Sequence, residues 1–106
     1  MKKMKFTMSN VRNFLIENES VYTVRSWNDP EEISMVAVEG VGNCKKKKIK
    51  QISMKEDLIP YLSESGFETL DSWWDKLERF KAIEGWLYNV SKIIKRKYGE
   101  EWWNII

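Results

Sequence analysis

The sequence predicts a small α+β domain built on a mainly antiparallel sheet. Three observations point there. Residues 21–52 hold three segments rich in β-branched and aromatic residues, parted by turn signals. Residues 53–79 switch to apolar spacings of three and four, the period of a helix. Residues 86–94 then return to a strand-like pattern. With 106 residues and no repeat or Gly/Ser/Pro-rich linker, the chain is expected to form one domain over 1–106, with a core about 9–94 and a helical tail over 95–106.

Ser9 or Asn10 caps a first helix running to Glu17, with Val11, Phe14 and Leu15 on one stripe. Val21 to Trp27 forms the first expected strand, and Asn28-Asp29-Pro30 turns the chain. Ile33 to Glu39 is the second strand, closed by Gly40 and Gly42. A third strand covers about 44–52. Ser53-Met54-Lys55-Glu56 fits a capping box opening a helix with Leu58, Ile59 and Leu62 on its apolar face, and Ser65-Gly66 ends it. Thr69 caps the next helix, where Leu70, Trp73, Trp74 and Leu77 recur at helical spacing. Trp86 to Ile94 is the last strand, and Lys95 to Ile106 a closing helix carrying Trp102 and Trp103.

The third strand is the unusual one. Lys45, Lys46, Lys47, Lys48 and Lys50 crowd into it, and alternation of side chains must send positive charge to both faces. Such a strand is expected at a sheet edge, where lysine blocks strand-on-strand pairing. The same run forms an anion-attracting surface. Residues 43–55 contain six lysines and no acid, while the amino terminus adds Lys2, Lys3 and Lys5, so a local basic patch is expected on a chain of net charge +2.

Composition removes several classes of chemistry. The single Cys44 rules out an intramolecular disulfide and suits a reducing cytoplasm. With no histidine and one cysteine, the usual Cys/His zinc site cannot be built, and Ser-His or Cys-His nucleophilic catalysis is excluded. No apolar run is long enough to span a membrane, and no apolar stretch follows the basic start as in a signal peptide. Asp29-Glu31-Glu32 and Asp71-Asp75 pair carboxylates, but in segments that read as exposed. No cofactor is expected.

Thr23 and Arg25 share one face of the first strand, and Tyr22, Val24 and Ser26 the other. If the Val24 face is core, Thr23 and Arg25 lie on the outer surface or line a cleft. Arginine's planar fork suits phosphates and base edges. Of six tryptophans, Trp73 belongs to the core, Trp74 lies about a hundred degrees around its helix and half exposed, and Trp27 sits at a strand end beside a turn. Trp27 is therefore the candidate stacking platform, the ordinary alternative being a rim residue. Cys44 is expected to be structural or incidental, the adjacent lysines being the one nearby influence that would lower its pKa. Trp102 and Trp103 either pack back on the domain or join a partner as a homodimer contact.

Three passages carry a family resemblance. Glu17-Asn18-Glu19-Ser20-Val21-Tyr22-Thr23-Val24-Arg25, following a helix, looks like the opening of an ASCH-type domain of the PUA-like superfamily. Leu58 to Phe67 followed by Ser72-Trp73-Trp74, and the closing Gly85-Trp86-Leu87-Tyr88-Asn89-Val90, continue the likeness over residues 9–94. The resemblance implies a small, partly open β-barrel with helices at its rims and a cleft near the first helix and first strand. It also implies RNA binding, reading of modified bases, or action on nucleosides. One branch hydrolyses an acylated cytidine with a Lys, a Thr and a Glu. Thr23 matches that threonine, but the lysine three positions earlier falls on Ser20, which argues against hydrolysis.

The function expected is a noncatalytic RNA- or nucleic-acid-binding module using Thr23, Arg25, Trp27, Lys45, Lys46, Lys47, Lys48 and Lys50. The alternatives are an enzyme acting on a modified nucleoside, with Lys45 or Lys46 replacing the absent lysine, and a protein-interaction domain.

Overall fold

A computed structural model describes residues 2–93. Five strands form one mixed sheet: β1 (Lys2–Met4), β2 (Ser20–Arg25), β3 (Ile33–Val38), β4 (Gly42–Gln51) and β5 (Trp86–Lys92). Their order is β1-β3-β4-β5-β2, with β1 parallel to β3 and every other pairing antiparallel. The sheet is open, with β1 and β2 at its edges. Helix α1 (Ser9–Glu17) lies between β1 and β2 in the chain, while a 3₁₀ segment (Lys55–Glu64) and helix α2 (Leu70–Arg79) lie between β4 and β5. The expected tail helix over 95–106 and the Trp102–Trp103 contact lie outside the described residues.

The lysine strand is not at an edge. β4 is the middle strand of five, paired with β3 on one side and β5 on the other. A ladder uses backbone groups, so lysine does not forbid a central position provided each ammonium finds water or a partner. Both solutions occur here. Lys45 and Lys47 are exposed on one face, while Lys46 is buried against Asp29 on the other.

The two faces carry separate cores. On one, Val21, Val36, Val38, Cys44 and Val90 pack with Met4, Phe6, Val11 and Leu15 beneath α1. On the other, Val24, Ile52 and Leu87 pack with Leu58, Trp73, Leu77 and Ala82 from the 3₁₀ segment and α2. Fully burying each such side chain contributes roughly 1.5–3 kcal/mol. Both faces of β2 are thus covered, and Thr23 and Val24 are equally buried. A register shift between Lys48 and Lys50 breaks the alternation of β4. Past this bulge, Ile49 joins the second core and Lys50 lies 3.6 Å from Asp57 of the 3₁₀ segment.

Local chemistry explains the remaining elements. Thr69 caps α2, its Oγ1 accepting from the Ser72 amide at 3.1 Å. The segment from 55 is 3₁₀ and not α because Pro60 lacks the amide an α-helix needs and crowds the preceding turn. The carboxylate at its start is Asp57 and not Glu56: it accepts from the Ser53 and Met54 amides at 3.0 and 3.1 Å. Gly66 follows at φ +87°, and a Cβ there would meet the Asn10 carbonyl oxygen at 2.9 Å. β1 is a strand that periodicity did not predict; its three residues are too few to display a period.

Candidate functional site

Cross-strand register sets the site. Thr23 and Arg25 stand opposite Tyr88 and Trp86 on β5, and Tyr88 stands opposite Lys48 on β4. These side chains share the sheet face that carries α1, at the end where the β2–β3 loop leaves. That loop folds back over the sheet. The Tyr88 hydroxyl donates to the Trp27 carbonyl at 2.9 Å and accepts from the Asp29 amide at 2.8 Å, pinning both loop residues.

Asp29, read from sequence as exposed, is buried. The reversal has a physical cause: its carboxylate is the partner of a lysine that the central strand must otherwise bury alone. Lys46 Nζ lies 2.7 Å from Asp29 Oδ2, with both side chains almost inaccessible. The Glu31 amide donates to Oδ1 at 2.9 Å and the Ser34 hydroxyl to Oδ2 at 3.3 Å. These bonds, the Lys46 one foremost, hold the Asp29 pKa at about 2, against the opposing effect of burial. Lys48 Nζ donates to Asn28 Oδ1 at 2.8 Å and to the Asp29 carbonyl at 2.7 Å, so it too is engaged by the loop.

Trp27 is held by this arrangement. Its ring lies 5.0 Å from that of Tyr88, and the Lys46 ammonium sits 4.3 Å from its centroid and 5.1 Å from that of Tyr88. The residue nevertheless remains 43% exposed. It forms a wall between two depressions. One, of about 270 Å³, is lined by Thr23, Arg25, Phe6, Leu77 and Phe80 among others. The second, of about 320 Å³, is lined by Lys2, Lys3, Asn28, Asp29 and Lys46 among others.

Arg25 has an unusual environment. Its Nη2 donates to the Lys5 carbonyl at 3.1 Å, and its guanidinium lies 4.9 Å from the Phe6 ring centroid. Burial lowers its pKa. Among the described residues it has no carboxylate within 4.0 Å. Thr23 lines the same cleft, but no lysine, Asp or Glu shares that lining, and the lysines considered as substitutes for the one missing at Ser20 are elsewhere. Lys46 is paired with Asp29, and Lys45 projects from the opposite face of the sheet.

The eight residues singled out from sequence therefore fall into three groups. Thr23, Arg25 and Trp27 converge on one cleft. Lys46 and Lys48 stand behind it as supports of the β2–β3 loop. Lys45 and Lys47 lie on the far face, and Lys50 pairs with Asp57. Phe6 and Phe80 were missed; Phe80 is 53% exposed, just beyond α2, and only its exposure singles it out. Cys44 is fully buried, in keeping with a structural cysteine, and burial pushes its thiol pKa up, outweighing the nearby Lys92. Among the described residues, no group of three or more metal-ligating side chains is present, and no helix is long and apolar enough to cross a membrane. Comparisons with protein-family models, with curated proteins and with solved structures find no match.

Proposed function

We propose that this chain is a noncatalytic nucleic-acid-binding module that takes an unpaired base of RNA against Trp27, with Arg25 reaching its edge or the adjoining phosphate. The observation that carries this reading is Arg25: a cation in an apolar-walled cleft, without a carboxylate partner among the described residues, beside an exposed tryptophan. Such a cleft offers a ring to stack on and a guanidinium whose donors beyond the one given to the Lys5 carbonyl can meet an anion or a base edge. A base stacked within a duplex cannot reach into it, which favours single strands. Exposed Lys2 and Lys5 at the neighbouring amino terminus supply charge for the backbone. The resemblance of residues 9–94 to PUA-like domains, in which a partly open barrel frames a ligand cleft, supports the same reading. Thr23 is assigned a lining role, since no lysine, Asp or Glu shares its cleft to activate the hydroxyl.

The test is fluorescence anisotropy of labelled single-stranded RNA, duplex RNA and duplex DNA across a salt series. Two to three phosphate contacts give a log–log salt slope of about −1.4 to −2.1 on a single strand. Trp27→Ala is expected to weaken single-stranded binding roughly 5- to 150-fold, the equivalent of about 1–3 kcal/mol of stacking. Absence of binding at low salt, or equal affinity of Trp27→Ala, removes the reading.

A further inference from the structure

Among the described residues, the sheet face opposite α1 is only half covered. The 3₁₀ segment and α2 occupy the end around Val24 and Leu87, while the portion formed by β1, β3 and β4 is bare among the described residues. Its side chains form ordered columns. Ile33, Met35 and Ala37 make an apolar stripe along β3, in which Ile33 is 53% and Met35 45% exposed. Lys47 and Lys45 stand directly opposite Ile33 and Met35 on β4, and Lys3 stands beside Ala37 on β1. The stripe is therefore flanked by lysines on both sides. None of these three lysines has a carboxylate within 4.0 Å among the described residues, and no strand contains an Asp or Glu.

We propose that this face docks an acidic amphipathic segment of a partner protein, with apolar side chains on Ile33 and Met35 and carboxylates reaching Lys3, Lys45 and Lys47. Charge complementarity selects the partner. Residues at three alternate strand positions span about 14 Å, or some nine residues of an α-helix, enough for two to three anchors at helical spacing. Nucleic acid fits this face poorly, because the space between the lysines is aliphatic and gives bases no ring. The one aromatic side chain of β2 on this face, Tyr22, is packed 4.8 Å from Tyr61. The proposal is independent of the Trp27 cleft.

The full chain, labelled with ¹⁵N, is titrated with a synthetic 14-residue peptide carrying Leu at helical spacing and Glu on the flanks. Controls are the same peptide with Lys for Glu, and oligouridine. Amide shifts confined to Ile33–Ala37 and Lys45–Lys47 are expected. The Lys45→Glu/Lys47→Glu double variant should weaken binding about tenfold or more, Met35→Ser several-fold, and Trp27→Ala not at all. Equal binding of the lysine peptide reduces the face to unspecific apolar adhesion and overturns the proposal. So does oligouridine shifting the same amides more strongly. Concentration-dependent shifts of those amides in the free protein would assign the face to a second copy. Their movement in Glu100→Gln/Glu101→Gln would assign it to the chain's own end; either result also overturns it.

Discussion

Replacing Lys46 by Met tests the central electrostatic claim. Lys46 and Asp29 are both buried and 2.7 Å apart, so the variant leaves a carboxylate in the interior without its principal counter-charge. Removing one member of a buried pair typically costs about 3–5 kcal/mol. Asp29 would keep the Glu31 amide at 2.9 Å, the Ser34 hydroxyl at 3.3 Å and Lys2 at 3.7 Å, which places the loss near the lower end, about 3 kcal/mol. Urea unfolding followed by tryptophan emission reads this as a midpoint drop on the order of 2 M for a slope of about 1.5 kcal/mol/M. The double variant Lys46→Met/Asp29→Asn removes the stranded charge and should recover about 1–2 kcal/mol of that loss. A pH series adds an independent check. The Asp29 pKa is depressed to about 2 from an ordinary 3.8, so its contribution is complete above about pH 4 and is lost as pH falls toward about 2. That contribution is about 2 kcal/mol, at roughly 1.4 kcal/mol per pH unit of displacement, and it should shrink in Lys46→Met. A Lys46→Met variant within about 0.5 kcal/mol of the parent, or strictly additive single losses, would refute the reasoning.

Two further substitutions probe how the cleft is framed. Gly85→Ala would drive a Cβ into the Arg25 carbonyl oxygen and to 2.8 Å from that of Ala82. It should cost about 1–3 kcal/mol in urea unfolding and, on the proposed reading, lower RNA affinity by displacing Arg25; parent-like values in both would show that β2 yields freely there. Thr69→Ala removes the cap on α2, whose Oγ1 accepts from Ser72. A loss of about 1 kcal/mol is expected, with helical signal retained and, on the proposed reading, RNA binding unchanged; a loss of that binding would show that α2 itself positions the cleft.

Much of the framework was legible from local pattern. Helix α1 buries Val11 and Leu15 as their spacing required, Thr69 caps α2, and Trp73 and Leu77 are core. Thr23 and Arg25 share a face because strand alternation is local, and they do line a cleft. Trp74 is half-buried, as its angle around α2 implies. The 3₁₀ form of residues 55–64 was also written in the chain at Pro60, although the apolar spacing alone suggested an α-helix.

What the sequence determined by itself was therefore periodicity: which residues form elements, where most of them stop, and which side chains of one element point together. Only the tertiary structure decided which strands are neighbours and in what register. That decision put β4 at the centre of the sheet and sent Lys46 and Lys45 to opposite fates. It also closed the β2–β3 loop through Tyr88, which lies about 60 residues away along the chain. No local signal distinguishes an Asp in a turn that stays in water from one that meets a buried lysine. The difference lies in the partner, and contacts between residues distant in sequence form only when the whole sheet assembles.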